Sequence, residues 1–314
     1  MLAVTSHQGK IQVVERDIPD QEGELIKVSS SGICGSDLHM VEMGVQGVVL
    51  GHEFGGYTTD GRLVAVRPTG ECGHCPSCAL GTSQTCPEAG STLYGLARDG
   101  GLAEYAVVDP RRMYEIPSGV DPVAVGLVEP LAVVVHGINR LNAQPGMRSL
   151  VVGAGSIGLL TAAVLRDRGI EVDIVARHPH QHTAAEALGV HSLATPGANY
   201  DITFDAVCTQ QSFDLCVGAV RPGGQLLEFG MFWSPVQLNN NVMMKEITIV
   251  PSIFYGHNED HHDFLEAVDM LARHHHITET IVTHRFSLDE AVHAFDTAKD
   301  KKSGAIKVHI SPAG

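Results

Sequence analysis

Basic residues are scarce in this chain: 21 Lys and Arg stand against 36 Asp and Glu, a formal net charge of −15 over 314 residues. A surface of that sign repels phosphate backbones and anionic lipid, so neither nucleic acid nor a membrane is expected as a partner. It also disfavours an anionic substrate unless the pocket is locally basic. The acidic residues are spread rather than clustered, which reads as solubility. No apolar run approaches the ~20 residues that a membrane span needs. No apolar stretch follows a basic start between Met1 and Lys10, so no secretory signal is expected and the expected compartment is the cytoplasm. Repeats and low-complexity tracts are lacking. So is an even cysteine set: the 7 cysteines form an odd number, which argues against a disulfide framework in an unsecreted chain.

What is present is enough apolar side chain, 44%, for a sizeable core, in a chain too long for one small domain. The first third is rich in glycine, proline and short apolar runs, and residues 48–50, 63–67 and 102–108 read as short strands. Near residue 130 the character changes. Residues 149–152 predict a buried strand, followed by a glycine-rich turn and a helix over 157–168. Strands over 171–176, 202–207 and 225–229 alternate with helices over 183–188 and 213–220, which predicts a parallel sheet with helices on both faces. Helices over 263–272 and 288–298 and a strand over 305–310 follow. The expected fold class is therefore α/β, an irregular β-rich domain in two parts plus a doubly wound (Rossmann-type) parallel-sheet domain between them. The expected boundaries are 1–131 with 258–314 for the first and 132–257 for the second.

Four of the cysteines crowd into fifteen residues: Cys72, Cys75, Cys78 and Cys86, spaced C-x2-C-x2-C-x7-C. Gly73, Pro76 and Gly81 bend the backbone between them. Four thiolates in a tetrahedron make a closed, structural zinc site with no open position for chemistry. An iron–sulfur cluster is the rival metal reading, and coincidental or disulfide-forming cysteines the bland one.

A second constellation is more mixed. Cys34 lies in Gly32-Ile33-Cys34-Gly35-Ser36-Asp37-Leu38-His39, His52 and Glu53 in Gly51-His52-Glu53-Phe54-Gly55-Gly56, and Glu129 in Val128-Glu129-Pro130-Leu131. One thiolate, one imidazole and one or two carboxylates suit a zinc ion with a position left for substrate, the mark of a catalytic metal. Singly, each residue has an ordinary reading: a small core cysteine, a turn pair, a cap for a helix starting after Pro130. Together with the four-cysteine lobe they point to metal.

Gly153-Ala154-Gly155-Ser156-Ile157-Gly158 is G-x-G-x-x-G between a strand and a helix. The first glycine permits the tight turn, the second lets a pyrophosphate approach the backbone, and the third lets helix and strand pack closely. The helix N-terminus supplies N–H groups to the phosphates. An acidic residue at the end of the next strand would bind the ribose diol of NAD. Here that strand ends in Arg177-His178, while Asp173 lies inside it. An arginine pairs with a 2′-phosphate and cannot accept from a diol, so NADP is favoured over NAD. The bland reading is an exposed arginine opening a loop. His178 and His182 could add to the phosphate site. Thr209 and Gly230, at the ends of two further strands, are candidates for the nicotinamide half. Cys208 and Cys216 have no ligand spacing and read as core. Among the 18 histidines, His261-His262 and His274-His275-His276 could suggest another metal, but read better as solvated positions around a surface helix.

These segments, taken together with the tail Ser303-Gly304-Ala305-Ile306-Lys307, resemble the zinc-dependent medium-chain alcohol dehydrogenases, and within them the polyol, sorbitol, threonine and glucose dehydrogenase branch. The resemblance implies a GroES-like catalytic domain, two zinc ions per chain, and a homodimer or homotetramer. It implies that Cys34 and His52 hold the catalytic zinc with Glu53 as third ligand or alternating with water. Glu129 takes the place where alcohol-specific relatives often carry a cysteine. Ser36 would hydrogen-bond the substrate oxygen and His39 would pass its proton to solvent. The implied reaction moves a hydride between a secondary alcohol and NADP(H), with a polyol, sugar or cyclitol as the small-molecule substrate. Two other readings compete: a metal-independent reductase of activated double bonds, and a non-catalytic dinucleotide-binding protein. In one respect the chain departs from the family. Only twelve residues separate His39 from His52, so the segment that usually walls the substrate pocket is shortened.

Overall fold

The computed structural model describes residues 1–257 and 262–312. Two compact units emerge, one of residues 1–130 with 256–314 and one of residues 131–255. In chain order the strands are β1 (Leu2–His7), β2 (Lys10–Glu15), β3 (Glu24–Gly32), β4 (Glu53–Thr58), β5 (Leu63–Val66), β6 (Tyr105–Val108), β7 (Met113–Glu115), β8 (Arg148–Val152), β9 (Glu171–Val175), β10 (His191–Leu193), β11 (Tyr200–Asp205), β12 (Val220–Glu228), β13 (Thr248–Pro251), β14 (Val282–Phe286) and β15 (Lys307–Ile310). The helices are α1 (Gly35–Glu42), α2 (Pro76–Ala79), α3 (Glu88–Ser91), α4 (Val125–Asn139), α5 (Ser156–Asp167), α6 (Pro179–Ala187), α7 (Gln210–Ala219), α8 (Asn240–Met244), α9 (Asp263–Arg273), α10 (His275–Ile281) and α11 (Ala291–Lys299).

The first unit holds a seven-stranded sheet in the order β14-β15-β3-β4-β5-β7, with β6 also on β3, and a separate β1-β2 hairpin. The expected strand over 48–50 does not form: only Val49 makes a single bridge, to Thr5. The expected strand over 102–108 begins three residues late, at Tyr105. Leu50, Leu102, Val308, Ile310, Ala291 and Phe295 pack together in this unit's core.

The second unit is a six-stranded parallel sheet in the order β10-β9-β8-β11-β12-β13. Counted from β8, this is 3-2-1-4-5-6, the doubly wound order whose direction reverses between β8 and β11. A strand covered on both faces needs apolar residues on both, and Leu150, Val151 and Val152 of β8 are all buried. Phe213, Cys216 and Val217 of α7 pack with Leu150 and Val152, so Cys216 is a core residue, as its lack of ligand spacing suggests.

Helix α4 does not start after Pro130 but runs through it from Val125. The window from Pro122 to Asn139 meets the length and composition of a membrane span, yet 83% of it is buried inside the protein, as expected of a core helix.

Candidate active site and dinucleotide loop

Sheet register builds the mixed constellation. Gly32, the last residue of β3, is the antiparallel partner of Glu53, the first of β4. Cys34 follows two residues later as the N-cap of α1, and His52 immediately precedes Glu53. Ligand atoms of Cys34, His52 and Glu53 lie within 4.8 Å of one another. The approach is so close that a Cβ on Gly32 would collide with the Glu53 carboxylate, which is why glycine is required there. Glu129 is buried on α4, but it does not belong to the group that gathers within that distance.

Two residues without a role in the sequence reading complete the geometry. Asp37, fully buried, stands 3.1 Å from His52 Nδ1 and accepts a 2.9 Å hydrogen bond from the Cys34 backbone N–H. It thereby turns the other ring nitrogen, Nε2, away from itself, and that nitrogen lies 3.4 Å from Ser36 Oγ. A carboxylate on one imidazole nitrogen fixes which nitrogen can meet a metal. Burial works against charging His52, but Asp37 and Cys34 outweigh it and hold its pKa well above the usual histidine range. Lys307, on β15, pairs with Glu53. Burial opposes its charge, and Glu53, Cys34 and Asp37 restore it, so its ammonium is held above its ordinary value. The signal for Asp37 was local, since a residue three positions after a helix N-cap reaches back to the cap. Lys307 is distant in sequence and was visible only as part of the tail.

Ser36 and His39 lie three residues apart on α1, on one helix face. The His39 side chain is 43% exposed and 3.8 Å from Glu42. One end of the pair thus borders the ligand group and the other reaches solvent.

In the lobe, Cys75 caps α2 and Cys86 ends a short helical turn. The sulfur atoms of Cys72, Cys75, Cys78 and Cys86 lie within 4.8 Å, and no disulfide joins any of them. Cys75 and Cys78 are 3.6 Å apart and Cys72 and Cys78 4.0 Å. Four sulfurs ~2.3 Å from one zinc stand ~3.8 Å from each other, so the spacing fits a tetrahedral zinc. Backbone N–H groups point at the sulfurs, from Cys75 to Cys72 at 3.3 Å and from Cys72 and Glu88 to Cys86 at 3.4 Å each. The backbone N–H of His74 leads in lowering the Cys72 thiol to about 6, while burial pushes Cys78 up to about 12.

In the second unit the glycine loop joins β8 to α5. Gly153 has φ +103°, and Gly155, the N-cap of α5, has nothing within 4 Å of where a Cβ would sit. Open space there is what a phosphate against the backbone requires. A Cβ on Gly158 would strike the Gly153 carbonyl, which keeps helix and turn in contact. Ser156 and Ile157 form the first turn of α5. Arg177 is exposed beyond the end of β9, its guanidinium 3.2 Å from Gln211 Oε1. Asp173 is engaged inside β9, accepting from Tyr200 Oη at 2.6 Å with His191 Nδ1 at 2.9 Å. His178 caps α6. His182 is taken up by Ser192, at 2.8 Å. Thr209 caps α7 through the Ser212 N–H, and Gly230 lies just beyond β12.

One histidine reading is corrected. His261 lies outside the described residues. His262 is not a solvated surface residue: it stacks on His257 at 4.9 Å and lies 3.2 Å from Tyr114 Oη. His275 and His276 are exposed, as expected. Cys208 is buried, as the core reading expects, and its sulfur also gathers with Asp205 and Glu228 within 4.8 Å.

Comparison with known proteins agrees with this geometry. Residues 20–118 match the alcohol dehydrogenase GroES-like domain and residues 156–273 the zinc-binding dehydrogenase domain. L-galactonate-5-dehydrogenase from Escherichia coli K12 is 30% identical over 303 residues, 87% of this chain and 86% of that protein. The chain belongs to the zinc-binding alcohol dehydrogenases, in their polyol dehydrogenase branch. Like its relatives, this dehydrogenase is an oxidoreductase acting on alcohol groups. Its fold matches that of a zinc-binding dehydrogenase from Sinorhizobium meliloti 1021 bound to NADP, with a TM-score of 0.89, 26% identity and 99% of each chain covered. It matches equally an alcohol dehydrogenase from E. coli CFT073 complexed with NADH, again with a TM-score of 0.89, 26% identity and 99% of each chain covered.

Proposed function

We propose that this dehydrogenase interconverts a secondary alcohol of the polyol, sugar or cyclitol type and its ketone, with NADP(H) preferred over NAD(H). Cys34, His52 and Glu53 would hold a zinc ion, which would supply Lewis acidity at the alcohol oxygen, and a dinucleotide bound at the glycine loop would supply the hydride-transfer chemistry. The observation that carries the reading is the convergence of those three donors within 4.8 Å, with His52 oriented by Asp37. Glu53, rather than Glu129, completes the set. Ser36 takes the proton of the alcohol, and His39, one turn on at the helix surface, delivers it to solvent. Cys72, Cys75, Cys78 and Cys86 would hold the second, structural zinc.

Arg177 supports the preference for NADP. It is an exposed cation, engaged by the neutral Gln211 amide, at the strand end where a diol-binding acid would sit, and the acid nearest it in β9, Asp173, is occupied by Tyr200 and His191. The nucleotide phosphates would lie against Gly153, Gly155, Ser156, Ile157 and Gly158, with His178 beside Arg177 and with Thr209 and Gly230 toward the nicotinamide. A cytoplasmic homodimer or homotetramer is part of the same proposal. A full donor set with an adjoining Ser36–His39 pair argues against a metal-independent reductase and against a non-catalytic binding protein.

The test is Cys34→Ala assayed across polyols, sugars and simple alcohols with both dinucleotides. Loss of turnover by roughly 10³-fold or more is expected, equivalent to several kcal/mol of transition-state stabilisation. Dinucleotide binding, followed by cofactor fluorescence, should remain. Retained activity in that variant would sink the assignment.

A further inference from the structure

Asp205 and Glu228 are register partners on the adjacent parallel strands β11 and β12, so their side chains leave the same face of the sheet side by side. Their exposures are 0% and 2%. Three residues beyond Asp205, Cys208 brings its thiol back toward them from the turn into α7, with a φ of 58° that a non-glycine residue rarely adopts. The sulfur and one oxygen of each carboxylate lie within 4.8 Å of one another.

The donors are held in place and left open. Asp205 Oδ1 accepts from the backbone N–H groups of Val207 and Cys208, at 2.9 and 2.8 Å. Among the described residues its Oδ2 meets no donor in hydrogen-bonding geometry, and neither does either oxygen of Glu228, beside which only the Cys208 thiol lies close. Buried acceptors without donors are uncommon in folded proteins, because the lost hydration is not replaced. Two acids and a thiol in one dry pocket oppose each other's ionisation. Burial, with Asp205 adding to it, pushes the Glu228 carboxyl up to about 8.

We propose that Asp205, Cys208 and Glu228 form a third metal site, separate from the Cys34 group and the four-cysteine lobe, that takes a divalent cation of the zinc type. The donor set decides the class. A thiolate with two carboxylates suits zinc, which accepts both sulfur and oxygen, and does not suit magnesium or calcium, which take oxygen alone. The cation would supply the partner that three buried oxygens lack and would tie the ends of β11 and β12 together. Its place in the fold gives it a supporting role for the dinucleotide loop. Val207, between two of the donors, is the residue that a Cβ on Gly153 would strike, and the Cys208 sulfur is 2.9 Å from where a Cβ on Gly230 would sit.

The experiment counts metal. Wild-type protein, Cys208→Ser, Glu228→Gln and the control Cys216→Ser are saturated with zinc and desalted, and bound zinc per chain is measured by mass spectrometry. Wild type and Cys216→Ser are expected to carry one zinc more per chain than the other two variants. Equal zinc in all four would overturn the site, leaving two carboxyls that share a proton. Should either cluster variant fail to fold, zinc release from wild type into a chromogenic chelator decides instead. Three equivalents per chain support the site and two overturn it. Cobalt substitution adds a separate signature: Cys208→Ser should lose part of the near-ultraviolet sulfur-to-cobalt absorption, and an unchanged spectrum would count against Cys208 as a ligand.

Discussion

The two units place chemistry in opposite ways. In the second, the glycine loop, Arg177, Thr209 and Gly230 all stand at the carboxyl ends of parallel strands whose apolar residues are buried on both faces. Packing holds the scaffold, and the candidate binding residues ride on it. In the first, Cys34 and His52 lie just outside strands, and the four-cysteine lobe contains one helix of four residues and a helical turn of three. Polar partners hold these positions: Asp37 on His52 and Cys34, Lys307 on Glu53, backbone N–H groups on the lobe sulfurs. The contrast teaches that the first unit should fail when a ligand or charge partner is removed. The second should keep its fold and change only what it binds.

The sharpest test removes a lobe ligand. No helix or strand of ordinary length runs through residues 72–86, so metal rather than packing would define their conformation. Cys78→Ser should destabilise the first unit by more than about 4 kcal/mol, the range reserved for losses such as that of a structural metal. Thermal unfolding with and without a chelator checks this: wild type should fall toward the variant on chelation, and the variant should hardly respond. A variant as stable as wild type would break the comparison, since packing would then hold the lobe as well.

Asp37→Asn probes the next layer. The substitution keeps the shape but removes the charge that favours a proton on Nδ1 of His52 and leaves Nε2 for metal. Loss of such a partner typically costs ~10- to 100-fold in metal affinity or activity. Zinc affinity at the Cys34 group and kcat should fall together while dinucleotide binding stays constant. A change in dinucleotide affinity instead would show that the two units do not divide the labour as described.

How much of this was legible in the sequence follows the same division. The glycine loop and the Cys72–Cys86 lobe are local patterns, in which neighbours in sequence make the site, so spacing alone exposes them. The four central strands after residue 148 were equally readable, because parallel strands buried on both faces are largely apolar, whereas the edge strands β10 and β13 were not read at all. The helical path through Pro130 and the absence of Glu129 from the 4.8 Å donor group were not readable, because they depend on tertiary packing. Glu228 was the least visible of all. It ends an apolar strand like any polar boundary residue, and only its register with Asp205 places it beside Cys208.

Arg177→Asp sharpens the comparison from the other side. It replaces a candidate phosphate partner by an acceptor suited to a ribose diol. A charge-assisted pair is worth about 1.5–3 kcal/mol, so the ratio of NADP to NAD efficiency should fall by roughly 10- to 100-fold. Melting temperature and zinc content should not move, because the side chain is exposed and its guanidinium meets a neutral amide, that of Gln211. An unchanged cofactor ratio would overturn the preference for NADP.

The smallest expected effect lies in the first unit and concerns pH. His262 is half-buried against Tyr114 and His257, and burial, followed by the charges of His257 and Arg67, lowers it to about 4. A base whose folded pKa is depressed binds its proton more readily when unfolded. Its contribution to stability is therefore complete above the unfolded value near 6.5 and is lost as pH falls through about 4. The full shift would correspond to about 3 kcal/mol, but partial solvent access screens it, and about 1 kcal/mol is the reasonable expectation between about pH 7 and about pH 4.5. In His262→Gln the first unit should lose that much less stability than wild type over the same interval, measured by denaturant unfolding at each pH. Cofactor binding by the second unit at neutral pH should be untouched. If the variant and wild type show the same acid sensitivity, the stacked histidines are not what makes this unit the more fragile of the two at low pH.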